Sequence, residues 1–139
     1  MLTSTDPAVA LTRYYSWWRR SAPTSGLSST SLSTLDVLDV LGSQRVSDLA
    51  ARERISQPGM TGLVTRLAAA GLVERTSDPD DGRVALVRIT VTGHAALTEV
   101  RLERAAELRR RLEHLDAQDR RALELAVPAL EHLMTGDPA

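Results

Sequence analysis

The chain has 139 residues and a formal net charge of −1, enough for one domain with its own core but without the bulk charge that would hold it to nucleic acid. It contains no cysteine, which excludes a disulfide scaffold and sensing through thiol oxidation. It shows neither a secretory apolar segment at its start nor an apolar run approaching a membrane span, so a cytoplasmic protein without membrane contact is expected.

Asp6-Pro7 joins a capping side chain to a residue tolerated in a first helical turn, and predicts a helix over residues 7–20. Leu11, Tyr14, Tyr15, Trp17 and Trp18 give it an apolar arc too wide for one neighbour. Packing both within the subunit and across a homodimer is expected. Trp17 and Trp18 also suit the lining of an aromatic ligand pocket. Residues 21–31 read as a polar, turn-rich linker, after which Leu32, Leu35, Leu38 and Leu41 mark a second helix closed by Gly42.

The stretch from 46 to 90 is the most informative. Val46, Leu49, Ala50 and Ile55 close a short helix onto a turn, and Met60, Leu63, Val64 and Leu67 then repeat at helical period. The other face of that helix carries Pro58, Thr61, Gly62, Thr65, Arg66 and Ala69, which are small, polar or cationic and have no core to enter. Such a face suits a DNA major groove. Ser56 or Gln57 caps the helix, and its free backbone donors and dipole favour phosphate. Gly59 and Gly62 each cost the helix about 1 kcal/mol relative to alanine. They read either as positions of close backbone approach to DNA or as a tolerated weak helix.

Residues 72–76 and 84–90 are strand-like and flank Ser77-Asp78-Pro79-Asp80-Asp81-Gly82-Arg83, a projecting turn. Asp81, two residues before Arg83, can hold the guanidinium in one orientation, and a held arginine suits a narrow minor groove. The plainer reading is a solvated hairpin turn. All the cations of the chain are arginine, a bias that a GC-rich genome explains. In the segment, Arg45, Arg52, Arg54, Arg66, Arg75, Arg83 and Arg88 are offset by Asp48, Glu53, Glu74, Asp78, Asp80 and Asp81, so a docking face has to segregate the signs.

Thr90 can cap a long helix reaching about residue 114, with Leu97, Val100, Leu108 and Leu112 among charges. Glu107 stands four residues ahead of Arg111, the favourable order for a helical ion pair. Arg109-Arg110-Arg111 reads as solvated or paired across a dimer, with DNA backbone as the other option. Asp116 restarts a helix through Leu123, Leu125, Val127, Leu130 and Leu133, in which Pro128 predicts a kink. Residues 135–139 read as a frayed tail. His94, His114 and His132 sit in separate segments without metal-ligand spacing and are expected simply to be exposed. Calcium is excluded because Ile89 stands where the closing glutamate belongs. No nucleophile elbow or phosphate loop is present, so no enzyme, metal or cofactor is expected.

The expected fold class is mainly α. One domain spans 1–139, with a winged helix-turn-helix over 31–90, a small β-hairpin wing, and dimerisation helices at 7–20 and 91–135. Four motifs, Val46-Ser47-Asp48-Leu49-Ala50-Ala51, Ile55-Ser56-Gln57-Pro58-Gly59-Met60-Thr61, Gly71-Leu72-Val73-Glu74-Arg75 and Asp78-Pro79-Asp80-Asp81-Gly82-Arg83, resemble the MarR family of bacterial transcriptional regulators. Ile89-Thr90-Val91-Thr92-Gly93 resembles that family's passage into its fifth helix. The resemblance covers nearly the whole chain. It implies a homodimeric repressor or activator whose DNA affinity responds to a small molecule or oxidant, with a ligand cleft between the winged domain and the dimerisation helices whose residues are not assigned.

Two positions depart from the family pattern. Gly82 replaces the first of two wing arginines, and Gly62 stands where an arginine often follows the recognition-helix threonine. Fewer cations imply modest affinity with strong salt sensitivity. The expected function is a dimeric, sequence-specific regulator of double-stranded DNA, with repression the expected sign. Gln57, Pro58, Thr61, Thr65 and Arg66 would meet the major groove of a pseudo-palindromic operator, and Arg83, oriented by Asp81, the minor groove. The alternative is a winged-helix protein interaction module without sequence-specific DNA binding.

Overall fold

Side-chain caps set most of the helix starts. In the computed structural model, which describes residues 5–136, Asp6 accepts from the Ala8 N–H at 2.9 Å, Ser28 from Ser31 at 3.1 Å, and Ser56 from Gly59 at 3.1 Å. Thr90 accepts from Gly93 at 3.0 Å and Asp116 from Asp119 at 2.8 Å. Each such bond is worth about 1 kcal/mol to its helix. The caps delimit α1 (Pro7–Ser21), α2 (Ser29–Leu41), α4 (Gln57–Ala69), α5 (Val91–Glu113) and α6 (Ala117–Thr135). The remaining elements are β1 (Gln44–Arg45), α3 (Val46–Glu53), β2 (Val73–Ser77) and β3 (Ala85–Ile89). The capping by Ser28 starts α2 inside the stretch expected to be linker.

The chain divides into two compact units, Met1–Glu103 and Arg104–Ala139, and α5 runs across the boundary. In the first unit, Leu32, Leu35 and Leu38 of α2, Leu49 and Ala50 of α3, and Met60, Leu63, Val64 and Leu67 of α4 share one core. Leu72, Val73, Val87, Leu97 and Val100 complete it. The helical members of this core are positions that helical period marked, and Leu72, Val73 and Val87 come from the runs read as strand-like. Leu41 is the exception: it is exposed where α2 ends at Gly42. Gly42 has φ +78°, the left-handed region that a helix-ending glycine reaches without strain.

The sheet is antiparallel in the order β1-β3-β2. β2 and β3 pair from Val73↔Ile89 to Ser77↔Ala85, and β1 adds Gln44↔Val87 and Arg45↔Leu86 on the other edge. Two residues show no alternation, so the sequence did not reveal β1. Leu72 lies outside β2 because it closes the turn after α4: its N–H donates to the Leu67 carbonyl at 2.9 Å. Its own carbonyl accepts from the Thr90 N–H at 3.1 Å. The Thr90 hydroxyl donates to the Gly71 carbonyl at 2.6 Å while capping α5. Gly93 makes this junction possible, since a Cβ there would stand 2.0 Å from the Leu72 carbonyl oxygen.

The packing of residues 7–20 differs from expectation. None of α1 is buried, Trp18 is half-buried and the cap residue Ala22 is buried, so packing within the subunit is confined to the end of the helix. Tyr14, Trp17 and Trp18 make tilted ring contacts at centroid distances of 5.7 and 5.8 Å. The inward stripe of α2 is committed to α3 and β3, and no aromatic of α1 belongs to the core.

In the second unit, Glu107 pairs with Arg111 at 2.7 Å, as the spacing predicted, and also with Arg110. None of α6 is buried, and Leu123, Leu125, Val127, Leu130 and Leu133 remain exposed. Pro128 lies inside the helix. Arg109, Leu112, Arg120, Leu123 and Val127 line a groove of about 320 Å³. Of the stretch expected to be a frayed tail, Thr135 instead closes α6 and Gly136 caps it, and residues 137–139 lie outside the described residues.

Candidate nucleic-acid interface

The turn between α3 and α4 consists of Arg54, Ile55 and Ser56. Arg54 ends α3 in the left-handed region, φ +54° and ψ +42°, a conformation strained for a residue with a Cβ. The Ile55 N–H donates to the Ala50 carbonyl at 3.1 Å and its side chain packs against the core, fixing the angle at which α4 leaves. Ser56 is the cap; Gln57 and Pro58 form the first turn and are exposed. Of the two candidate caps, Gln57 is therefore excluded by its place inside the helix.

Met60, Leu63, Val64 and Leu67 anchor one side of α4, so Thr61, Thr65 and Arg66 are held on the exposed side. Gly59 packs under the cap, where a Cβ would come within 3.0 Å of the Ser56 hydroxyl oxygen. Gly62 has no such constraint, because a Cβ there would meet only Arg66 Nη1 at 3.6 Å. Nothing among the described residues requires glycine at 62.

Thr65 is more constrained than its sequence suggests. Its hydroxyl donates to the Thr61 carbonyl at 2.9 Å and accepts from Arg75 Nη2 at 2.9 Å. Arg75 was one of seven arginines noted in the winged segment, with no assigned role. The signal that could have found it is the strand period: Arg75 is two residues after buried Val73 and so shares its face, toward α4.

At the wing, the Asp78 N–H donates to the Val84 carbonyl at 2.9 Å, and the Val84 N–H to the Asp81 carbonyl at 3.0 Å. Asp81 Oδ1 accepts from the Arg83 N–H at 3.1 Å and stands 3.5 Å from Arg83 Nε. The Arg83 side chain is 95% exposed. A Cβ at Gly82 would meet nothing within 4 Å.

The signs segregate by internal pairing. Arg45 binds Asp78 at 3.1 Å and Arg88 binds Glu74, so both cations are spent within the sheet. The Asp80 N–H, and after it Arg45, hold the Asp78 carboxyl below the usual carboxylate range. Glu53 accepts from the Ser33 hydroxyl at 2.7 Å. Among the described residues, no carboxylate lies within 4.0 Å of Arg52, Arg54, Arg66 or Arg75.

Away from this face, α2 and α5 are joined by a charged cluster. Asp39 meets His94 Nδ1 at 2.7 Å and Arg101 Nη1 at 2.9 Å, and Arg101 Nη2 meets Asp36 at 2.6 Å. The hydrogen bond from His94, and next that from Arg101, hold the Asp39 carboxyl below its usual range. His94 is exposed, as expected, but is engaged. Among the described residues no cluster of three His, Asp or Glu is placed to hold a metal, and no helix is long and apolar enough to cross a membrane.

Comparison with known proteins gives this geometry its setting. Residues 27–85 match the model of the MarR family. The chain is 32% identical over 135 residues to an HTH-type transcriptional regulator of Mycobacterium bovis, covering 97% of this chain and 94% of the relative. It is similar in fold to the solved transcriptional regulator Tm0710 of Thermotoga maritima, with TM-score 0.73 at 22% identity over 92% of this chain and 94% of that one. It is also similar to a MepR-like protein complexed with pseudoligands, with TM-score 0.57 at 27% identity over 97% and 99% of the two chains. With that coverage and identity added to the helix-turn-helix and its wing, the chain belongs to the MarR family of DNA-binding transcriptional regulators.

Proposed function

We propose that this regulator works in the cytoplasm as a homodimeric repressor of a pseudo-palindromic operator and responds to a small molecule. The observation that carries the reading is the division of α4: four large apolar side chains anchor one side, and the side bearing Gln57, Pro58, Thr61, Thr65 and Arg66 is left exposed. Those five residues enter the major groove, while Arg83, held near Asp81, enters the adjacent minor groove. The capped start of α4 presents backbone donors to phosphate. Residues 7–20 and 91–135 form the dimer, a reading supported by the aromatic face of α1 and by α6, neither of which buries a residue in the isolated chain. Two-fold symmetry then places the half-sites about one helical turn apart. Ligand response is supported by the MepR-like relative, which was complexed with pseudoligands.

The test is binding of the purified protein to duplex from upstream of its own gene, against scrambled duplex, across a salt series. Site-selective binding that weakens steeply with salt is the expected result. A folded dimer that binds neither duplex at low salt would turn the assignment toward a protein interaction module. Arg83→Ala should weaken operator binding by about 1 to 3 kcal/mol, and unchanged affinity would remove the wing from the interface.

A further inference from the structure

We propose that Thr65 recognises the 5-methyl group of a thymine through its own methyl, and that Arg75 is the positioning residue that holds it there. The inference rests on the DNA-binding reading above.

A threonine hydroxyl has one proton to donate and two lone pairs. At Thr65 the proton is given to the Thr61 carbonyl one turn back, at 2.9 Å, and a lone pair takes a guanidinium proton of Arg75, at 2.9 Å. No donor is left for an acceptor on a base edge. What this exposed side chain still has to offer is its γ-methyl and a single lone pair, and of the two the methyl is the group the rotamer fixed by both bonds presents as a surface. In the major groove, thymine is distinguished by its C5-methyl, and a threonine methyl is among the apolar groups that contact it.

Arg75 is needed because threonine on a helix divides between two rotamers, each able to return its hydroxyl to the preceding turn. A second bond from outside the helix selects one. β2 supplies it: Arg75 lies on the strand face shared with buried Val73 and reaches the exposed side of α4. Among the described residues no carboxylate within 4.0 Å competes for its guanidinium, so the arginine is available to the hydroxyl. The link also couples the wing sheet to the recognition helix, so the orientation of one contact side chain depends on the strand beside it.

The experiment uses the full chain. A site is selected from a randomised duplex library with the wild-type protein, and each thymine in it is replaced in turn by uracil, which removes only the methyl. Replacement at one symmetric position should weaken binding about fourfold per half-site, the value of one buried methyl-sized group. Thr65→Val, which keeps a methyl and loses the hydroxyl, should retain sensitivity to uracil at that position. Thr65→Ser, which keeps the hydroxyl and loses the methyl, should bind thymine and uracil duplexes equally. Arg75→Met should reduce the discrimination, and Arg75→Lys, which restores one donor, should recover part of it. Thermal unfolding of each variant confirms that the fold is kept.

Wild-type protein indifferent to uracil at every position would overturn the proposal, as would a Thr65→Ser variant that discriminates as well as wild type. Full discrimination in folded Arg75→Met would overturn the role of Arg75. Failure to enrich any sequence would instead strike the DNA-binding reading, and this inference with it.

Discussion

The winged unit and the C-terminal unit are both built on leucine-bearing helices, yet the first closes its own core and the second leaves its apolar residues open. Leu35, Leu38, Leu49, Met60, Val64, Leu97 and Val100 are at most 2% exposed, whereas Leu125 and Leu133 of α6 are 64% and 65% exposed. Both sets were found by the same helical period. Periodicity therefore announces a face that needs a partner but not whether the partner lies in the same chain. Four helices and a sheet converge on the winged core, while α6 has only the end of α5 within its unit.

The contrast is sharpest at Gly93, where the winged unit is packed most closely. Gly93→Ala would drive a Cβ to 2.0 Å from the Leu72 carbonyl oxygen, and a loss of about 3 kcal/mol or more in denaturant unfolding is expected. A loss under about 1 kcal/mol would mean that α5 can withdraw from Leu72, and that the unit is less tightly closed than described.

The open side is tested by Leu123→Asp combined with Leu130→Asp. The winged unit should keep its hydrogen-exchange protection, because neither residue belongs to its core. The dissociation constant of the proposed dimer, measured by sedimentation, should rise about thirtyfold or more. Loss of protection in the winged core, with the dimer intact, would reverse the comparison.

A smaller effect is expected at Gly62, on the exposed side of the closed unit. Gly62→Ala has room for its Cβ and should stabilise the protein by about 1 kcal/mol. If the backbone approaches DNA closely there, operator affinity falls in the same variant. Unchanged affinity would assign Gly62 to a weak helix and nothing more.

The smallest effect concerns Asp39, which joins α2 to α5. Its folded pKa lies below the ordinary value, so its contribution is fully present above the unfolded pKa and is lost as pH falls through the folded one. Asp39→Asn should lower the unfolding temperature at pH 7, and the gap to wild type should close as pH falls below about 4. A gap constant with pH would show that the carboxylate charge is not what joins the helices.

Much of the winged fold was legible because local chemistry and tertiary packing agree there. Met60, Leu63, Val64 and Leu67 are buried as a helical stripe, and Asp6, Thr90 and Asp116 cap the helices they precede. The exposure of Gln57, Pro58, Thr61, Thr65 and Arg66 followed from the same stripe. Less legible were contacts between residues far apart in the chain. Arg45 with Asp78, Asp39 with His94 and Arg101, and Arg75 with Thr65 each cross from one element to another. Spacing along the chain carries no record of such pairs, because they form only when the sheet and helices set two side chains at hydrogen-bond distance.

What the sequence determined by itself is the order of elements, the inward stripe of each winged-unit helix and the projecting wing, because these depend on periodicity, caps and turn residues acting over a few positions. The tertiary structure alone decided which arginines are neutralised, which hydroxyl proton is already spent and that α1 and α6 bury none of their residues within the chain. Those outcomes depend on distances of a few ångströms between separate elements, and electrostatic pairing and burial are set by those distances rather than by residue type.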